Sequence, residues 1–181
     1  LCGGCGIVAL RWHDEGHRGP CISVELNREA HGLLAAALAA QPEAAGHIQA
    51  VHADLRTYTP AQAGQFHLAA CNPPYFTGGH VSPDPARAAA RHEETCAFED
   101  AAACAARLLR DGGRFAVCHR PEQLARVLAA LTAARLEPKR LQFVKQAPDA
   151  APWLFLCEAQ KNRRPGLTVL PDLLPGQYPH Y

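Results

Sequence analysis

Asn72-Pro73-Pro74-Tyr75 follows directly on a compact apolar run, Phe66-His67-Leu68-Ala69-Ala70-Cys71. Two prolines after a buried strand are a costly way to make an ordinary turn, because proline fixes φ, removes a backbone donor and restricts the residue before it. What such rigidity secures is position. The Asn72 side-chain oxygen and the Pro73 carbonyl can both accept from one amino group, while Tyr75 stacks on the base or amide that bears it. A nitrogen of that kind shares its lone pair with a π system and must rehybridise before it attacks. Two acceptors stabilise the positive charge that then grows on it. Against a methyl sulfonium, positioning supplies much of the rate, and neither a metal nor a strong base is required. A rigid turn without chemistry is the competing reading.

Three other features outline a place for an adenosine-bearing methyl donor. The run Leu1-Cys2-Gly3-Gly4-Cys5-Gly6 reads as a strand end entering a glycine turn before a helix, where backbone can approach a ligand closely and helix amides face an anion or carboxylate. Gly4 and Gly6 are the candidates, with relief of crowding between helix and sheet as the alternative. Glu25 ends the second strand about twenty residues later, placed to accept both ribose hydroxyls; a solvated strand-end acid is its bland counterpart. Asp54, after the third strand, can accept from an adenine amino group or serve as a cap or surface acid. No Lys-Ser/Thr phosphate loop accompanies them. The implied cofactor is S-adenosylmethionine, and Asn72 is assigned to both the cofactor and the target.

Other polar clusters carry less. His92, Glu93 and Glu94 resemble an acid/base group but fit the polar first turn of a helix. His119, Arg120, Lys161, Arg163 and Arg164 are candidates for phosphate contact, against the plainer reading of solvated basic residues. Cys2 and Cys5 have C-x-x-C spacing with no second pair to complete a zinc site.

The elements that must hold these residues alternate. A helix is expected from Ile7 to Trp12, a strand over Cys21–Glu25, and a helix capped by Asn27 and reaching about Gln41. Strands over His47–Val51 and Phe66–Cys71 follow, then a loop from Phe76 to about Arg91. A helix over Ala97–Leu109 is ended by Asp111-Gly112-Gly113, with a strand from Arg114 to Cys118 and a helix opened by Pro121 and reaching about Arg135. Strands over Leu141–Lys145 and Trp153–Glu158, joined by a short turn, predict an antiparallel hairpin at one sheet edge. The whole is an α/β fold, Rossmann-like, with a mostly parallel sheet, helices on both faces and ligands at the C-terminal strand ends.

With 181 residues, 48% of them hydrophobic, one domain over residues 1–160 and an extended tail over 161–181 are expected. The formal net charge of +1 leaves any polyanion to be held by a local basic patch. Eight cysteines in apolar surroundings such as Phe115-Ala116-Val117-Cys118 and Leu154-Phe155-Leu156-Cys157 fit buried, reduced thiols in a cytoplasmic protein. No run has the length of a membrane span and no metal site is expected. The chain opens on Leu in mid-motif and contains no Met, which predicts an N-terminal part beyond it. The sequence specifies no oligomeric state.

The sequence resembles the bacterial tRNA1(Val) adenine-N6 methyltransferases, within the class I methyltransferases that carry an Asn-Pro-Pro-Tyr motif. The resemblance rests on Asn72-Pro73-Pro74-Tyr75-Phe76 with Gly78 and Ser82, on Ala90-Arg91-His92-Glu93, and on Pro165-Gly166-Leu167 leading to Val169-Leu170-Pro171. It implies a seven-stranded sheet, S-adenosylmethionine as methyl donor, and as substrate an adenine beside the anticodon of a valine tRNA. It further implies that Gly4, Gly6, Glu25 and Asp54 hold the cofactor and Asn72 to Tyr75 the target. Cys2 departs from the pattern, since glycine is usual there, and the acid expected before Leu1 is not in this sequence. The same four residues also suit a glutamine amide of a release factor or a guanine amino group of ribosomal RNA. A non-catalytic adenosine- or RNA-binding module is the reading from another class.

Overall fold

Gly6 takes φ 87° and turns the glycine segment into α1 (Ile7–Asp14), whose first backbone bond runs from Leu10 N–H to the Gly6 carbonyl at 2.9 Å. The structure, a computed structural model, describes residues 1–73 and 96–176. These fall into two compact units, Leu1–Tyr58 and the residues from Thr59 onward.

In the first unit β1 (Cys21–Glu25) and β2 (Ile48–His52) pair in parallel, with Cys21 opposite Ile48 and Glu25 opposite His52. Between them in sequence come α2 (Arg28–Ala40) and a single turn, α3 (Pro42–Ala45). Asn27 caps α2 as expected, its side chain accepting from Ala30 N–H at 2.9 Å. Leu34 and Leu38 are one turn apart on the inner face of α2 and form a core with Ala9, Ala44 and Ile48. The strand expected to end at Leu1 is not formed. Gly3 N–H reaches the Val24 carbonyl at 2.8 Å, but Leu1–Gly3 is irregular because this one bond is too short a ladder to make a strand.

The second unit contains β3 (Phe66–Cys71), α4 (Phe98–Leu108), β4 (Leu109–His119), a 3-10 turn (Pro121–Gln123) leading into α5 (Leu124–Ala133), β5 (Leu136–Val144), β6 (Leu154–Lys161) and β7 (Thr168–Val169). Its sheet runs β3-β4-β6-β5-β7. β3 and β4 are parallel, β6 is antiparallel to both β4 and β5, and β7 is parallel to β5. The alternating strands and helices and the closing antiparallel hairpin match the expected architecture, in a mixed sheet.

Three details differ from expectation. Asp111-Gly112-Gly113 does not separate α4 from the next strand: β4 begins at Leu109, opposite Phe66, and the extra residues bulge out before Arg114 pairs with Leu68. Gly112, at φ 70°, makes that bulge possible. β5 starts five positions before the expected Leu141, at Leu136, and passes through Pro138 with a shift of register before Arg140. The shift moves the buried set from Leu136 and Pro138 to Leu141 and Val144, so the strand keeps one face in the core despite its proline. The hairpin is not at the edge. β6, whose Phe155, Cys157 and Ala159 are each 2% exposed or less, takes the doubly flanked position, and Thr168-Val169 covers β5.

Cross-strand pairs organise this core. Phe115, Val117 and His119 of β4 lie opposite Ala159, Cys157 and Phe155 of β6, all of them buried. Helix α4 lays Phe98, Ala101, Ala102, Ala105 and Leu108 inward at helical spacing. Removal of Phe98, Phe115 and Phe155 from water contributes roughly 1.5–3 kcal/mol each. Asp100 reaches back to Ala97 N–H at 3.1 Å and caps the first turn of α4.

Candidate active site

Each glycine of the turn answers a different requirement. A Cβ on Gly3 would stand 2.1 Å from Ser23 Oγ, so Gly3 is there for close approach to β1. Gly6 would drive a Cβ to 2.3 Å from Leu34 Cδ1 and also has positive φ. Crowding between helices therefore accounts for Gly6, the alternative weighed above, with α2 and not the sheet as the neighbour. Gly4, at φ 54°, has open space where a Cβ would project. Among these glycines it is the one whose freedom leaves room for another molecule. Cys2 sits at φ 48°, a left-handed conformation that costs an L-residue about 1–2 kcal/mol, which is a physical reason for a glycine at that position.

Glu25 ties the turn to the strand end. Its Oε2 accepts from Gly4 N–H at 2.7 Å and its Oε1 from Asn27 N–H at 2.7 Å. Two amides fix the carboxylate while each oxygen keeps further acceptor capacity. Asp54 is more heavily engaged: Arg56 grips it through Nε at 3.0 and 2.9 Å and Nη2 at 2.6 Å, and Arg56 N–H adds a bond at 2.9 Å. The guanidinium hydrogen bonds, followed by the amide, hold the Asp54 carboxyl below its ordinary value. Its backbone carbonyl accepts from Thr57 and Tyr58 N–H, which makes Asp54 the anchor of a turn as well.

In the second unit Asn72 is exposed just past the C-terminal end of β3, and Pro73 is buried behind it. Asn72 Oδ1 accepts from Cys118 Sγ at 3.1 Å. Pro74, Tyr75, the 76–91 segment, His92, Glu93 and Glu94 lie outside the described residues. Sequence reasoning placed Cys118 in a wholly apolar run and missed this contact. Alternation was the available signal: Val117 and His119 take the buried face, which leaves Cys118 between them on the other. Three of the eight thiols, Cys71, Cys104 and Cys157, are buried, and burial pushes Cys157 up to about 12.

The basic candidates resolve differently. His119 is 1% exposed, set edge-on to Phe98 and stacked with Phe155, its Nδ1 accepting from Arg120 N–H at 2.9 Å. Enclosed in this way, it cannot meet a phosphate. Lys161 Nζ donates to the Ala106 and Leu109 carbonyls at 2.5 and 2.7 Å, closing the C-terminus of α4. Arg163 pairs with Asp111 at 3.0 Å. Both lie at the start of β4, the end opposite Cys118. Among the described residues no helix is long and apolar enough to cross a membrane and no cluster of three or more His, Cys, Asp or Glu is arranged to hold a metal.

An adenosine-bearing donor fits what the first unit offers. The space over Gly4 admits backbone approach, and the immobilised Glu25 carboxylate is an acceptor suited to paired hydroxyls.

The chain has the fold of the class I, S-adenosylmethionine-dependent methyltransferases. It superimposes on a predicted O-methyltransferase from Agrobacterium tumefaciens with TM-score 0.65 at 21% identity, covering 87% of this chain and 71% of that one. It superimposes on the geranyl diphosphate C-methyltransferase of Streptomyces coelicolor, solved with Mg2+, geranyl diphosphate and S-adenosyl-L-homocysteine, with TM-score 0.60 at 13% identity over 88% and 71%. In sequence it is homologous to bacterial tRNA1(Val) (adenine(37)-N6)-methyltransferases. It is 32% identical to that of Tolumonas auensis over 158 residues, 84% of this chain and 63% of the relative. Identity is 37% to that of Cronobacter sakazakii over 95 residues, 52% and 38%, and 32% to that of Parabacteroides distasonis over 114 residues, 63% and 48%. The chain thus spans about half the length of the curated relatives it matches. No family model matches the sequence.

Proposed function

We propose that this protein transfers a methyl group from S-adenosylmethionine to the exocyclic N6 of an adenine in tRNA, in the valine tRNA beside the anticodon. The observation that carries the reading is Asn72: an exposed amide at the end of β3, backed by buried Pro73, in a chain with the methyltransferase fold. The homology to tRNA1(Val) adenine-N6 methyltransferases supports the choice of nucleic acid and atom.

The donor, when bound, supplies an electrophilic methyl sulfonium. Gly4 leaves its backbone open to the donor, Gly6 sets the entry into α1, and Glu25 accepts from the ribose hydroxyls. Asp54 accepts from the adenine amino group on the lone pairs that Arg56 leaves. Asn72 Oδ1 and the Pro73 carbonyl accept from the target amino group, drawing its hydrogens out of conjugation and stabilising the charge that develops as nitrogen attacks. Pro74 keeps the turn rigid and Tyr75 stacks on the target adenine. The protein acts in the cytoplasm, where unmodified tRNA is found.

The test is transfer of a labelled methyl group from S-adenosylmethionine to unmodified total tRNA and, in parallel, to a release factor. Label recovered from tRNA as N6-methyladenosine is the expected result. Label in the release factor would replace the nucleic-acid reading with glutamine methylation, and label in neither would overturn both.

A further inference from the structure

β3 and β4 run parallel with Cys71 opposite Val117, so the next residue on each, Asn72 and Cys118, are neighbours. Side chains alternate along β4: Val117 and His119 are buried and Cys118, between them, is half-buried. Its thiol donates to Asn72 Oδ1 at 3.1 Å.

An asparagine amide has almost the same shape in two orientations related by a half-turn, one presenting oxygen and the other NH2. Only the first accepts a hydrogen bond from a target nitrogen; the second would confront amine hydrogens with amide hydrogens. We infer that Cys118 is a positioning residue for methyl transfer, holding Asn72 Oδ1 in the accepting orientation through its S–H donor. The inference rests on the reading of Asn72 given under the proposed function. A carbonyl oxygen has two lone-pair directions, so one receives the thiol and the other remains for the amino group. Sulfur suits the task because S–H is a weak donor: it biases the orientation and withdraws little acceptor strength from the oxygen. No bond to sulfur forms or breaks, and the thiol keeps its proton throughout.

Three variants, Cys118→Ala, Cys118→Ser and Asn72→Ala, test this against the wild-type protein, with S-adenosylmethionine and unmodified tRNA as substrates. Cys118→Ala lowers kcat by about three- to tenfold, the fold-change matching one neutral hydrogen bond, and leaves the dissociation constant for S-adenosylmethionine unchanged. Cys118→Ser, whose hydroxyl also donates, recovers kcat to within about twofold of wild type. Asn72→Ala abolishes most transfer. A readout free of turnover accompanies these: alkylation of Cys118 by iodoacetamide, followed by peptide mass spectrometry, speeds up in Asn72→Ala because the thiol proton has lost its acceptor.

Equal kcat loss in Cys118→Ala and Cys118→Ser would make the side chain a packing element and overturn the inference. So would wild-type kcat in Cys118→Ala, or an alkylation rate indifferent to Asn72. If Asn72→Ala is inactive while Cys118→Ala is normal, only the positioning role falls. If Asn72→Ala stays fully active, or wild type transfers no methyl group, the proposed function falls with it.

Discussion

Gly4 and Glu25 stand 21 positions apart in sequence and are joined by a 2.7 Å hydrogen bond from the Gly4 amide to the carboxylate. The same side chain holds Asn27 N–H at the start of α2. One acid therefore links the glycine turn, the end of β1 and the cap of a helix. Its loss disturbs architecture as well as any ligand it accepts from.

Glu25→Ala removes two charge-assisted bonds, each worth about 1.5–3 kcal/mol, and raises the dissociation constant for S-adenosylmethionine by roughly one to two orders of magnitude. Calorimetric titration measures the second effect and denaturant unfolding the first. Unchanged donor affinity in a destabilised protein would leave Glu25 a structural acid alone.

Gly6→Ala and Gly4→Ala separate packing from ligand space. Gly6→Ala must both hold positive φ and displace Leu34, at a cost of about 2–5 kcal/mol when the left-handed and overpacking penalties are combined. Gly4→Ala bears only the first, about 1–2 kcal/mol, but puts a methyl group into the open space where the donor is proposed to bind. Unfolding midpoints should rank Gly6→Ala well below Gly4→Ala. The reverse order would refute the contact with Leu34 as the reason for this glycine.

Asp54 provides a pH test. Arg56 depresses its carboxyl below the ordinary 3.8, so the pair stabilises the folded chain fully above that value. The contribution disappears as pH falls through the lowered one. Both side chains are partly exposed, 27% for Asp54 and 51% for Arg56, and salt screens the pair. In Arg56→Ala the carboxyl titrates closer to its ordinary range, as carbon-detected NMR would record; an unmoved titration would mean that the backbone amide alone sets it.

Lys161→Met keeps an apolar stem and removes both bonds to the α4 carbonyls. It destabilises the second unit by about 1–3 kcal/mol, whereas Arg163→Ala, which breaks an exposed pair with Asp111, costs less than about 1 kcal/mol. If Lys161→Met instead leaves the unfolding midpoint alone and weakens tRNA binding, the residue belongs to a nucleic-acid surface.

Strand positions in the first two thirds were legible because alternation and punctuation agree there: Cys21–Glu25 and Phe66–Cys71 are observed with the expected bounds. The end of the chain was harder to read. Pro138 argues locally against a strand, and only the register shift beside β6 shows how it is tolerated. Thr168-Val169 is too short for any periodicity and exists because β5 offers an edge. In the site, the residue types at Gly4, Glu25 and Asn72 were readable, but their partners were not. That Gly6 answers to Leu34, that Arg56 engages Asp54 and that Cys118 reaches Asn72 are facts of tertiary approach, invisible to spacing.

The central place of β6 bears on how the second unit assembles. β4 and β5 are synthesised first, yet neither pairs with the other; each waits for a strand that begins only at Leu154. A nascent chain that has reached Val144 carries two half-built edges rich in unpaired amides and carbonyls, templates for association with other chains. Residues 154–161 act as a keystone that arrives late, so a chain interrupted in the hairpin turn is expected to aggregate and not to survive as a smaller enzyme.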